Sequence, residues 1–489
     1  MTKVRRPDQR QSWTLPLAFA LWTTTFGSSF VFGYQVGCMN APAHLIKTWI
    51  RNESYPSVHG EQISDTLLTE LWSWMVAGCT LASAIGGLMC GYFADKLGRK
   101  RAMLVNDVVS IIGATLMGIS RVTNLYYLLL IGRLIIGVSC GITSGVAPIY
   151  LTEIAPLRLR GMLGNANTLA FIAGIFISQV LAMPQIFGTE EYWPLVLAAT
   201  AVPAAFQLIA LPFCPESPKY LLIARRRRSE ASEALIRLRR MSHVSAEITL
   251  MLDEAGKSTA ITDSTSTSSS RPFWWPMSIC IVNHIAQQFS GSPSLLYFSA
   301  TIFREQGRMK DDQSVNATLG MGATLFTSCL ISTLIIDRVG RRVLMLAGMA
   351  GACIFDIMIF LTLHLLAIDD QKYNAASYCA VIFVYLYYVA VALGPLSIPW
   401  FYVSELFDQS SRGKANMIAA TTNRMSAFIV GYTFLPLKAI MSEYVFLLYA
   451  GISASCLVFL FFSAPETKGR QVNEIAKELE VRTPVCCRK

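Results

Sequence analysis

The sequence predicts an all-α integral membrane protein, with twelve transmembrane helices in two six-helix, pseudo-symmetric halves. Composition is the first observation: 53% of residues are apolar and only 15% charged, against roughly 25% charged in a soluble domain. Length is the second, because 489 residues leave room for about twelve spans of roughly 20 apolar residues each. The third is an internal repeat. Asp95-Lys96-Leu97-Gly98-Arg99-Lys100 returns as Asp337-Arg338-Val339-Gly340-Arg341-Arg342. Glu153 with Arg160-Gly161 returns as Glu405 with Arg412-Gly413, and Pro215-Glu216-Ser217 as Pro465-Glu466-Thr467. Three motifs in one order, each about 250 residues from its copy, mark a duplicated unit, the organisation expected of a bundle whose halves rock against each other.

The span-length runs lie at about 15–36, 71–93, 103–120, 126–150, 163–186, 193–214, 274–303, 317–337, 343–366, 377–401, 415–437 and 444–464. They divide the chain into a first half (1–214), a connector (215–272), a second half (273–464) and a tail (465–489). The two tails and the even-numbered connections hold 31 of the 41 basic residues, so both termini are predicted to be cytoplasmic. The net charge of +10 therefore reports topology. Basic residues scattered over separate loops make no nucleic-acid-binding patch.

The N-terminal tail has no signal-peptide pattern, and the first span itself directs insertion. The twelve cysteines fall mostly within spans and show no metal-ligand spacing. Neither a metal nor another cofactor is expected, and no catalytic constellation is apparent. In the connector, residues 216–254 carry apolar and basic positions at helical spacing, while 257–271 (KSTAITDSTSTSSSR) read as a flexible tether.

The repeated loops place charges at the inner ends of neighbouring spans. Asp95 and Asp337 close one helix, while Arg99 and Arg341 open the next across a glycine turn. Glu153 and Glu405, at the ends of spans 4 and 10, are the natural partners of these arginines.

A solute path needs neutral groups that both donate and accept hydrogen bonds, and an aromatic face. Span 5 offers Gln179, span 7 Gln287 and Gln288, span 10 Trp400 and span 11 Asn423. Arg424 lies deep in span 11, where a charge costs about 2.5–3.5 kcal/mol on insertion scales. It must face a wet cavity, find a partner or snorkel to the cytoplasmic surface. Asp107 and Asp356 are the other charges within spans.

With these residues the chain resembles the sugar porters of the major facilitator superfamily, and animal facilitative glucose transporters in particular. The resemblance runs in order through Gly33-Tyr34, Asn40-Ala41-Pro42, the loop from Asp95, the runs from Gly132 and Pro148, and PESPKYLL from Pro215. It continues through QQFSG from Gln287, the loop from Asp337, IPWF from Ile398, SEL from Ser404 and PETKGR from Pro465. It implies a major facilitator fold around a central sugar site that opens alternately to each side, in a plasma-membrane carrier whose partners are a small sugar and the bilayer. No oligomer is required.

The resemblance also implies roles for single residues. Gln287, Gln288 and Trp400 would bind sugar, with Tyr297 and Phe298 forming an outer gate. The inner-loop set Asp95, Arg99, Glu153, Arg160, Glu216, Asp337, Arg341, Glu405, Arg412 and Glu466 would pair when the protein faces outward and part when it faces inward.

The chain departs from the family pattern at Thr168, Pro293, Leu325, Ala392, Arg424 and Ala427, and carries His284-Ile285-Ala286 before the glutamine pair. Several sugar-hydroxyl partners are thereby lost, which leaves open a carrier for another polyhydroxy or anionic solute, or a non-transporting sensor. Gln35 stands where proton-coupled relatives carry Asp, and an amide does not titrate, so passive uniport is expected. Asn52-Glu53-Ser54, in the connection predicted to be extracellular, is the expected N-glycan site.

Overall fold

Helix starts and stops follow local chemistry. Thr14 opens the first span, its Oγ1 accepting from the Leu17 amide (3.4 Å), with Pro16 in the first turn. Ser64 caps the second span in the same way, accepting from Leu67 (3.3 Å). The repeated loops turn at Gly98 (φ 92°) and Gly340 (φ 114°). A Cβ at these positions would also meet a glutamate oxygen, at 2.7 Å from Glu216 and 2.9 Å from Glu466, so both backbone angle and space require glycine.

The computed structural model describes residues 13–156, 159–241, 244–252, 273–368, 375–407 and 409–468, with 470, 474–475 and 478–479. The tether at 257–271 lies outside them. Among the described residues the chain is helical, without strands.

Among the described residues ten helices are long and apolar enough to cross a membrane: Leu15–Gly37, Asp65–Leu97, Arg99–Ile119, Tyr126–Ile154, Met162–Leu181, Trp193–Phe213, Asp311–Ile336, Arg341–Ile368, Ala375–Trp400 and Tyr444–Ser463. They correspond to expected spans 1–6, 8–10 and 12. The other two depart from uniform apolar helices for physical reasons. Span 7 is broken into Trp274–Phe289 and Ser292–Glu305, because Gly291 takes a φ of 83° and Pro293 has no amide to donate. Span 11 is one helix, Gln409–Met441, but Arg412, Lys414, Arg424 and Lys438 dilute its apolar character.

The largest core runs through both halves, from Tyr34, Trp72 and Trp193 to Phe298, Tyr387 and Phe434. Separate clusters fill the inner parts of the second half, around Tyr402, and of the first, around Tyr150. In the connector, helix Arg228–Arg239 buries Ala231, Ala234, Leu235 and Leu238. Leu238 joins the first-half cluster, and its carbonyl accepts from Thr14 Oγ1 (2.5 Å). This amphipathic helix thus touches the first half through Leu238.

Candidate substrate path and gates

The break in span 7 separates the Gln287-Gln288 pair from Tyr297 and Phe298. On its inner side Gln287 is held between two elements: its Nε2 donates to the Leu396 carbonyl (2.7 Å) and its Oε1 accepts from Asn423 Nδ2 (2.6 Å). Gln288 Nε2 reaches the same Oε1 at 3.4 Å and is half-buried, leaving amide capacity for a solute. Asn423 Nδ2 also lies 3.2 Å from His284 Nδ1, which must then be the acceptor. The His284 ring stands edge-on to Trp400 at 4.8 Å.

The structure therefore brings Gln287, Gln288, Asn423 and Trp400 into one cluster, with His284 as the link. In the sequence His284 registers only as a departure from the family pattern, and nothing local announces its partner. Gln179 does not join this cluster. It is buried on span 5 with both amide atoms unpartnered, packed so close to span 8 that a Cβ at Gly322 would lie 1.9 Å from its Oε1. Thr168 is half-buried, also on span 5, next to Asn167, whose Oδ1 accepts from Ser29.

A central cavity lies between the halves, lined by Phe32, Gln35, Thr80, Arg133, Tyr297 and Arg424 among others. The Arg424 guanidinium sits 4.4 Å from the Phe32 ring centroid across the interface, a cation–π contact. Arg424 thus faces the cavity rather than snorkelling, and among the described residues no ion pair joins it to Asp107 or Asp356. Arg133, 2% exposed, donates to Gln35 Oε1 (2.7 Å), the Gln35 carbonyl (3.0 Å) and the Met75 carbonyl (3.0 Å). Its charge is thus solvated by neutral oxygens.

At the outer end, opposite the repeated loops, the halves are joined. Tyr297 and Thr80 hydroxyls meet at 3.1 Å, and Trp74 of span 2 packs on Tyr432 of span 11 at 5.3 Å, while Phe298 stacks on Phe434 within the second half at 5.3 Å. Asn40 donates to Ser299 Oγ (2.7 Å) and the Leu296 carbonyl (2.9 Å) and accepts from the Ala300 amide (3.1 Å). Asn40 entered the sequence reading only through the Asn-Ala-Pro motif, and its bridging role becomes visible in three dimensions.

At the inner end each half carries the same clasp. Arg99 grips Glu153 with two nitrogens (2.9 and 3.0 Å), and Ser217 Oγ donates to the same carboxylate (2.5 Å). In the second half Arg341 meets Glu405 (3.3 Å), and Thr467 Oγ1 takes the place of Ser217 (2.5 Å). Glu216 accepts from the Lys100 amide (3.1 Å), and Glu466 from those of Arg341 and Arg342 (3.0 and 3.2 Å), each capping a helix start. Burial pushes the Glu216 carboxyl above the usual range, opposed by the amides of Ser217 and Lys100 and by Arg99.

Tyr150 and Tyr402 complete the clasps by donating to the carbonyls of Pro215 (2.8 Å) and Pro465 (2.5 Å). Sequence reading missed this pair, although its spacing matches that of Glu153 and Glu405. Asp95 lies 3.4 Å from Arg99 and is exposed. Arg412 donates to the Phe407 carbonyl (3.2 Å). The side chains of Asp337 and Arg160 fall outside the described residues. Each Arg–Glu pair joins elements of a single half, and both are made here while the outer end is closed. Asn52 is exposed in the connection between spans 1 and 2.

Residues 20–479 match the family model for "Sugar (and other) transporter". Facilitated glucose transporter protein 1 of Caenorhabditis elegans is 39% identical over 486 residues, covering 98% of this chain and 93% of that protein. The human solute carrier family 2, facilitated glucose transporter member 4, is 38% identical over 484 residues, covering 98% and 93%. Among solved structures, the partially occluded inward-open xylose transporter XylE of E. coli superposes with a TM-score of 0.76 at 20% identity, over 94% of this chain and all of that one, a likeness of fold. The duplicated clasps, the broken span 7 and these matches lead to one statement: this chain is a multi-pass membrane protein of the sugar transporter family, with the major facilitator fold.

Proposed function

We propose that this protein is a facilitative carrier, a uniporter that moves a hexose, glucose or a related sugar, across the membrane by alternating access. The observation that carries this reading is the neutral cluster of Gln287, Gln288, Asn423, His284 and Trp400. It sets the amides of Gln287 and Gln288, on the broken helix that also bears Tyr297 and Phe298, beside Asn423 of span 11 and the Trp400 ring of span 10. Thr168 and Gln179 would contribute from span 5. Gln35 supports passive transport, because it neutralises nothing and titrates nothing while it solvates Arg133.

The two halves, 1–214 and 273–464, are read as the rocking bodies. The termini and inner clasps are assigned to the cytoplasm, and the membrane to the plasma membrane. Asn52 is assigned as the glycan site, and glycosidase treatment before and after Asn52→Gln tests that assignment by mass.

A second reading has its own observation. Arg424 presents a cation to the central cavity, which favours a more polar or anionic solute over glucose. Uptake of a labelled panel of hexoses, polyols and sugar acids into proteoliposomes, with and without a pH gradient, decides between them. Hexose uptake indifferent to the gradient supports the first reading. Uptake confined to acids, and shifted towards glucose by Arg424→Trp, supports the second.

A further inference from the structure

A helix broken inside a membrane leaves backbone carbonyls without their helical donors, and neighbouring groups must satisfy them. In span 7 the break at Ser290–Ser292 is served by tyrosines from two other spans. Tyr387 donates to the Ser290 carbonyl (2.7 Å) and lies 2.9 Å from Ser290 Oγ. Tyr388 donates to the Ser292 carbonyl (3.0 Å), a second contact on an oxygen at the first turn of the helix that follows. The Tyr449 hydroxyl, from span 12, meets Ser294 Oγ at 2.9 Å. The Tyr449 ring presses on the turn itself, so that a Cβ at Gly291 would lie 2.7 Å from it. All three tyrosines are at most 2% exposed, and the rings of Tyr387 and Tyr388 lock edge-to-face at 5.3 Å.

The break lies between the residues that read solute and those that close the outer end. Gln287 and Gln288 precede it by a few residues, and Tyr297 and Phe298 follow it by about two helical turns. Any motion of Ser292–Glu305 relative to Trp274–Phe289 must pivot on Ser290–Ser292, the segment the tyrosines hold. None of the three touches the glutamine cluster through a hydrogen bond among the described residues.

We propose that Tyr387, Tyr388 and Tyr449 form a hinge clamp for span 7, positioning residues that set how readily the outer gate moves without reading the solute. The clamp rests on the carrier reading above for its effect on transport, but not for its effect on the hinge. Each hydroxyl removed leaves a buried backbone or serine oxygen less satisfied. The hinge then loosens while the glutamine cluster keeps its geometry.

The test is Tyr387→Phe with Tyr388→Phe, which keeps both rings and drops both hydroxyls. In lipid nanodiscs, amide hydrogen exchange across residues 286–296 is expected to quicken by about fivefold or more. Maximal uptake is expected to change severalfold, with KM staying within about twofold. Gln288→Ala is the contrast, moving KM and leaving exchange at the hinge as it was. Wild-type exchange and maximal rate in the double variant would overturn the clamp. So would a shift in KM alone, which would make the tyrosines part of the solute site.

Should the double variant misfold, Tyr449→Phe combined with Ser294→Ala gives the same reading from one hydroxyl pair, which must be non-additive. If the wild-type protein carries none of the sugars tested, the carrier reading fails on its own, and the exchange measurement still decides the clamp.

Discussion

The inner and outer ends of this molecule are built on opposite plans. At the inner end each half closes on itself, and what one half does the other repeats: Arg99, Glu153 and Ser217 against Arg341, Glu405 and Thr467. At the outer end the halves close on each other, through contacts without a duplicate. Asn40 reaches across to Ser299 and Ala300, Thr80 to Tyr297, and His44 to Arg304. Repetition within a half makes a body that moves as a unit. An unrepeated contact between halves marks a place where two such bodies can part. The centre diverges further, with a charged first-half node of Arg133 and Gln35 and a neutral second-half cluster around Gln287.

The largest effect is expected where the halves differ most. Gln287→Ala would leave one of the two Asn423 Nδ2 protons and the Leu396 carbonyl without their partner, and a buried unpaired polar group costs about 1–3 kcal/mol, or tenfold to a hundredfold in solute affinity. Equilibrium binding or KM in proteoliposomes measures it, with Gln288→Ala expected in the same range. Affinity unchanged in both would move recognition to the Arg133 side of the cavity.

Next comes the outer contact. Asn40→Ala removes three hydrogen bonds between the halves at once, so the outer-closed form should lose about 1–3 kcal/mol. Cysteine accessibility in the outer vestibule should rise severalfold. If it did not, the outer end would be held by aromatic packing of Trp74 on Tyr432 instead.

The inner clasps should matter less individually. Both Arg–Glu pairs are partly exposed, worth about 1 kcal/mol each, and each holds the elements of its own half together. Arg99→Ala with Arg341→Ala should slow transport at normal surface expression. A defect twice as large in one single variant as in the other would break the equivalence of the two halves.

Much of this plan is legible in the sequence because bilayer and duplication both write at long range. Twelve apolar runs and three repeated motifs suffice for the fold, and the clasps follow from Arg, Gly and Glu at matched spacing. The break in span 7 has its own signature in Gly291 and Pro293, though hydropathy reads the segment as one span. The direction of a side chain on a helix is harder. Arg424 has the same sequence neighbours whether it snorkels or faces the cavity, and the contact with Phe32 arises only when span 1 packs against span 11. His284 meets Asn423 across 139 residues, and Tyr387 meets Ser290 across 97. No local period encodes such pairs, because polar groups in a membrane interior find partners after the helices assemble.

The smallest effect should distinguish the ends by pH. His44 Nε2 lies 3.3 Å from the Arg304 guanidinium, and arginine only donates, so the imidazole must be neutral and accepting. Burial lowers the His44 pKa below 6.5, helped by Arg304 and Lys47 and opposed by Asp311 and Glu190. A lowered histidine pKa means that the outer-closed form binds the proton less well than the opened form. The contact is therefore complete above about pH 6.5 and is lost as pH falls through the lowered value, when imidazolium and guanidinium repel. The site is exposed and screened, so acidifying the outer side from neutral to about pH 5 should raise outer accessibility only about twofold. The inner clasps, which contain no histidine, should not respond from that side. His44→Gln keeps an acceptor and removes the titration, and should abolish the response. An unchanged pH response in that variant would assign it to a group other than His44.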